Sequence, residues 1–71
     1  MSKFEAEIIL AMTYYSMRIS LVAEKLYCHK NTVKYRIKKI KKETGLDARN
    51  FYDLIELLSI ARTVLGDDYE L

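Results

Sequence analysis

The sequence predicts an all-α fold, a compact four-helix domain containing a helix-turn-helix, and three observations carry that prediction. Apolar residues recur at helical spacing in four separate stretches. Proline is absent, and the two glycines, Gly45 and Gly66, stand where helices would stop rather than in hairpin turns. Residues 30–42 hold seven basic side chains and no acidic one, so one element carries most of the positive charge.

The elements follow in order. From Phe4 to about Met17, Phe4, Ile8, Ala11 or Met12, and Tyr15 share one helical face, with Glu5 and Glu7 near the positive end of the helix dipole. Ser20 is then a candidate N-cap for a short helix two that ends near Tyr27 and turns Val22, Ala23 and Leu26 inward. A tight connection through Cys28 and His29 leads to helix three, roughly 30 to 43, with Val33, Ile37 and Ile40 inward and Gly45 suited to a left-handed cap. Asn50 can cap helix four, roughly 51 to 65, with Asp53 in the place of a capping box and Gly66 at the stop. Along this last helix Asp53, Glu56, Ser59, Arg62 and Thr63 form a narrow polar stripe, and apolar side chains cover more surface than one small core can easily bury. The tail, residues 67–71, is expected to be loose.

Composition bounds the rest. A chain of 71 residues makes one domain, and folding at this size buries only about 60% of the unfolded surface. With 51% hydrophobic and 31% charged residues, the chain lies well inside the globular range. Cys28 is the only cysteine, which permits no internal disulfide and no thiol pair for zinc, so a reducing cytoplasm is expected. The start carries acids within its apolar stretch and does not read as a signal peptide, and no run of about 18 apolar residues predicts a membrane span.

Function is expected from helix three. Residues 1–29 hold three basic and three acidic side chains, residues 30–42 seven and none, and residues 43–71 two and seven. A lysine-rich helix is often no more than a solvated face. With no acid from 30 to 42 to form i to i+4 pairs, however, this one repels itself and favours an anion. Given an inward Val33, Ile37 and Ile40, a step of about 100° per residue turns Lys30, Lys34, Tyr35, Lys38 and Lys41 outward. Asn31 and Thr32 fall in the first turn, where recognition helices meet base edges and where free amides favour phosphate. Side-chain chemistry then divides the roles. Lys30 and Lys34 can donate to guanine, Asn31 can pair with adenine, and Thr32 can reach phosphate or a thymine methyl. Arg36, Lys38, Lys39, Lys41 and Lys42 suit backbone phosphates, which add affinity and salt dependence without sequence choice. Tyr35 suits stacking on a sugar or base and equally suits packing on its own helix, and Asn31 also suits a local hydrogen bond.

The stretch Ser20-Leu-Val-Ala-Glu-Lys-Leu-Tyr-Cys-His-Lys-Asn-Thr-Val-Lys-Tyr-Arg-Ile-Lys-Lys-Ile, followed by Glu43-Thr-Gly-Leu-Asp47, resembles the C-terminal helix-turn-helix of PucR-type regulators. The likeness covers about residues 20 to 65 and includes purine-catabolism activators and sugar diacid regulators. It implies a bacterial transcription factor whose DNA-binding module follows a larger ligand-sensing region, so the chain reads as a domain excised from such a regulator. A looser resemblance to the DNA-binding end of Fis-type proteins implies the same placement of His29, Lys30, Thr32 and Lys34 at the groove. The turn departs from the general helix-turn-helix pattern, since Tyr27 stands where glycine is common, and a positive φ there costs about 1 kcal/mol.

Other chemistries find little support. His29 as metal ligand or general base lacks a supporting cluster, and capping helix three or touching phosphate suits it better. Cys28 and His29 are adjacent and have no orienting third group, so a small apolar role fits Cys28 better than nucleophilic catalysis. No enzyme activity, cofactor, metal or membrane is expected, and double-stranded DNA is the expected partner. Helix 51–65 supports a second reading, a homodimer interface or a docking face for a sensor domain, with a larger core as the alternative. Under the two-fold dimer, recognition helices about 34 Å apart read an inverted repeat. RNA binding comes third, because the deep major groove of A-form RNA excludes side chains.

Overall fold

Helix α1 (Lys3–Tyr14) lies at the centre of the fold, with Ala6, Ile8, Ile9, Leu10, Ala11 and Met12 all buried. The computed structural model describes residues 1–71 and contains three further helices, α2 (Ile19–Lys25), α3 (Lys30–Thr44) and α4 (Phe51–Leu65), and no strand. A run of buried residues on consecutive positions means that α1 is covered on most of its circumference, not on one stripe. Helix α4 packs along α1, and α2 and α3 pack on each other and close over the rest of it. Val22 and Ala23 of α2, Val33, Ile37 and Ile40 of α3, Ala48 of the last connection, and Leu54, Leu57 and Ala61 of α4 complete one core. No helix is long and apolar enough to cross a membrane.

Local chemistry sets the helix ends. Ser2 and Glu5 form a capping box at the start of α1, the Ser2 hydroxyl accepting from the Glu5 amide at 3.1 Å and the Glu5 carboxylate from the Ser2 amide at 3.0 Å. The far end stops short of the Met17 predicted by apolar spacing. Ser16 and Met17 take left-handed φ values of 56° and 61°, and the Met17 amide reaches back to the Met12 carbonyl at 2.7 Å. Periodicity alone could not detect this, since Tyr15 and Met17 still pack against the core after the helix has ended.

Helix α2 corrects a second expectation. Its N-cap is Arg18, which makes no side-chain capping bond, and Ser20 is an exposed residue inside the first turn. Ile19 packs against the core and so opens the helix ahead of the serine that would have capped it. Val22 and Ala23 are buried as predicted, and Leu26 is half-buried against them.

The end of α2 forms the turn of the helix-turn-helix. The Cys28 amide donates to the Ala23 carbonyl at 2.9 Å and the Tyr27 amide to the Glu24 carbonyl at 3.2 Å, the bond pair of a Schellman motif. Such a motif needs a left-handed residue, and Tyr27 supplies it with φ 56° while its side chain is 96% exposed. The positive φ considered for this residue is therefore present, and no packing of the ring offsets its cost.

The remaining boundaries follow the sequence closely. Gly45 closes α3 with φ 78°, its amide on the Lys41 carbonyl at 2.7 Å. Asn50 caps α4 by accepting from the Asp53 amide at 3.1 Å, and Gly66 follows Leu65. The capping box is only half formed, because the Asp53 carboxylate accepts from the Asp47 amide at 3.0 Å instead of from Asn50. In the tail, Asp67, Asp68, Glu70 and Leu71 are exposed, yet Tyr69 is tied down: its hydroxyl donates to Glu7, and its carbonyl accepts from Arg62 at 2.8 Å.

Replacing Tyr27 by asparagine, which tolerates a left-handed backbone, should stabilise the domain by about 1 kcal/mol. Urea unfolding monitored by circular dichroism measures it. A loss of stability would show that the exposed ring contributes more than its backbone costs.

Candidate nucleic-acid interface

Helix α3 starts from a histidine. His29 has extended backbone angles, and its Nδ1 accepts from the Asn31 amide at 3.0 Å, so the side chain caps the helix as the sequence suggested. The Thr32 and Val33 amides reach the His29 carbonyl at 2.9 and 3.4 Å. Of the amides that lack an i−4 partner, those of Asn31 and Thr32 are thus occupied, which narrows the expectation that this helix end offers free amides to a phosphate. Asn31 meets the cap through its backbone, and its side chain stays exposed. Cys28, just before the cap, is half-buried against the core, and burial pushes its thiol up, which suits a small apolar residue better than a nucleophile. No group of three or more histidine, cysteine or acidic side chains stands together to hold a metal ion.

Around α3, Val33, Ile37 and Ile40 face inward and set where every other side chain points. Opposite them, at about 100° per residue, the outermost stripe is Asn31, Tyr35, Lys38 and Lys42, all exposed. Lys30, Lys34 and Lys41 make one exposed flank, with Lys41 Nζ 3.7 Å from an Asp47 carboxylate oxygen. On the other flank Thr32, Arg36 and Lys39 are only half-exposed. Tyr35 is 64% exposed, which places its ring at the surface rather than in the core. Together with Lys38, Lys39, Lys42 and Glu43 it lines an open depression on the helix.

The half-exposed flank faces α1, where a residue that the sequence reading placed only in a helix dipole now matters. Glu5 is 2% exposed, the one charged side chain in the buried set. One of its carboxylate oxygens lies 3.3 Å from the Arg36 guanidinium and 3.7 Å from Lys39 Nζ, and the Phe4 ring lies under Arg36 at 5.7 Å. The basic helix is therefore not without an acidic partner, because Glu5, 31 residues before Arg36 and outside residues 30–42, supplies one. The spacing Ser2-x-x-Glu5 is a capping-box signal that went unread, whereas the ion pairs across the fold leave no local signal. Burial works against the Glu5 charge, but the Ser2 amide, Arg36, Lys39 and the Ser2 hydroxyl outweigh it and hold the carboxyl below its ordinary value.

A scan against protein-family models matches residues 7–62 to the PucR C-terminal helix-turn-helix domain, a span that contains α2, the Tyr27 turn and α3 entire. The chain belongs to this family. Comparison with curated proteins and with solved structures finds no match. The PucR helix-turn-helix family is a DNA-binding, regulatory type of module not known for catalysis. Its matched span holds every residue of α3 that the sequence reading selected, from His29 to Lys42.

Two outcomes follow from this geometry. His29→Ala should cost about 1 kcal/mol of stability through the lost cap, with His29→Asn restoring most of it, as read by thermal unfolding. Because Glu5 has a lower pKa folded than unfolded, its contribution is fully present above the ordinary carboxylate value and is lost as pH falls through the folded one. Acid unfolding of Glu5→Gln should therefore show a weaker pH dependence than wild type below about pH 5.

Proposed function

We propose that residues 1–71 are the DNA-binding domain of a bacterial transcriptional regulator, acting in the cytoplasm and on the nucleoid when bound. In this reading α3 enters the major groove of duplex DNA. The observation that carries it is the exposed face of α3, where Asn31 and Tyr35 lie among Lys30, Lys34, Lys38, Lys41 and Lys42 on the second helix of a helix-turn-helix. A helix of 15 residues is about 22 Å long, and a major groove about 12 Å wide admits it. Lys30, Asn31, Thr32 and Lys34, nearest the helix start, address base edges, with Tyr35 beside them. Lys38, Lys41 and Lys42 hold phosphates farther along, and His29 stands where a strand would pass the helix start. Arg36 and Lys39, which the sequence assigned to phosphates, are the two cations already engaged by Glu5. Family membership supports placement of the domain at the C-terminus of a longer protein, behind a sensing region.

A second reading, homodimerisation or docking to that sensing region, uses α4. Leu54, Leu57 and Ala61 face the core, while Phe51, Tyr52 and Ile55 are 58%, 77% and 51% exposed. The larger-core alternative does not absorb these three side chains, and contiguous exposed apolar surface favours a protein contact.

An amide-resolved NMR titration with a generic DNA duplex at two salt concentrations tests both. Shifts confined to residues 29–42 that fade at the higher salt are the expected result. Shifts along residues 51–65 that depend on protein concentration and not on DNA would favour the second reading.

A further inference from the structure

The Glu5 cluster couples the buried side of α1 to the basic side of α3. The Ser2 amide satisfies one oxygen of this buried carboxylate, and removing the cations at the other would leave its charge without a counter-ion in a poorly solvated site. Arg36 and Lys39 are those cations, at 3.3 and 3.7 Å. Their positions matter, because they lie along the flank of α3 that borders the outer stripe of Tyr35, Lys38 and Lys42. Left free, they would add two positive charges to a helix that otherwise offers Lys30, Lys34, Lys38 and Lys42, with Lys41 shared with the more exposed Asp47.

We infer that Glu5 is an internal counter-ion that withholds Arg36 and Lys39 from the DNA backbone, so that phosphate contacts are confined to the outer face of α3 and affinity for DNA of any sequence is lowered. Glu5 acts in this as a specificity-determining residue that touches no nucleic acid. Lower sequence-independent affinity leaves more of the discrimination to base contacts, because a regulator competes against a large excess of non-specific sites. Salt screens the pairs only in part, since the Glu5 carboxylate is buried while Arg36 and Lys39 remain partly exposed. Phe4 adds to the hold on Arg36 by presenting its ring to the guanidinium at 5.7 Å. Glu5 lies outside the span matched to the family, residues 7–62, so the inference concerns this chain's own α1. It rests on the DNA-binding reading of α3.

The test compares neighbouring lysines. The salt dependence of binding to a generic duplex is measured by fluorescence anisotropy for wild type, Lys38→Gln, Lys39→Gln and Glu5→Gln, with circular dichroism confirming each fold. Each phosphate contact contributes about 0.9 to the slope of log K against log salt. Lys38→Gln should reduce the slope by about 0.9, while Lys39→Gln leaves it unchanged. Glu5→Gln keeps the size of the side chain and an oxygen for the Ser2 amide but frees both cations. It should steepen the slope by about 0.9 to 1.8 and tighten generic binding about tenfold at 0.1 M salt. A merely structural role would weaken binding, the opposite sign.

Equal losses of slope in Lys38→Gln and Lys39→Gln would overturn the inference and leave the DNA-binding reading standing, as would a folded Glu5→Gln with wild-type slope. Should Glu5→Gln fail to fold, the lysine pair decides alone. A wild type with no salt-dependent duplex binding overturns both the inference and the reading beneath it.

Discussion

Enclosure of α1 is the constraint on which the rest of the domain depends. A chain of this length can build one core, and it does so by giving a single helix almost entirely to the interior, from Ala6 through Met12. The other three helices then need only one apolar stripe each. That economy releases the outer surfaces of α3 and α4 from packing, so a lysine-rich face on one and an aromatic strip on the other cost the fold little. It also explains why the one buried charge sits on α1. A buried charge on a surrounded helix needs partners, and Glu5 finds them in Ser2 at its own helix start and in Arg36 and Lys39 on α3.

How α3 is held relative to α1 follows from that same pairing. On its inner side α3 is fixed by Val33, Ile37 and Ile40, which set its rotation about its own axis. Interdigitated apolar packing already resists sliding, and the ion pairs to a buried carboxylate add to it, because movement along the helix would leave the charge uncovered. The Tyr27 turn adds a third restraint, with both Schellman hydrogen bonds formed. Side chains at the outer face therefore project from a seated platform rather than from a mobile arm.

Much of this was legible in the sequence, and the failures have identifiable causes. Helix four was placed at the right residues because asparagine and glycine punctuate it, and helix three because Gly45 ends it. The start of helix two was misplaced because Ser20 is a good cap in isolation, and burial of Ile19 outweighed it. Helix one was drawn too long because a left-handed turn keeps Tyr15 and Met17 against the core, so the apolar pattern outlasts the helix. Within the candidate site, Lys30, Lys34, Tyr35, Lys38 and Lys41 were turned outward and all are exposed, but Asn31 and Lys42 stand outermost with Tyr35 and Lys38, and Lys30, Lys34 and Lys41 form a flank. What could not be read was which cations are already engaged, since an ion pair across 31 residues leaves no mark in a local charge count. The tail was expected to be loose as a chain terminus, and within it Tyr69 contacts Glu7 of α1 and Arg62 of α4.

The histidine cap has one more consequence, and it concerns protons. A neutral imidazole carries one N–H, and the nitrogen that accepts a hydrogen bond cannot be the one that bears it. Because Nδ1 accepts from the Asn31 amide, the cap fixes the tautomer and leaves the hydrogen on Nε2. At the exposed start of α3 the ring is thereby committed as a donor. In that tautomer the ring's one N–H can donate to an oxygen or nitrogen acceptor, while its acceptor nitrogen is already spent on the backbone.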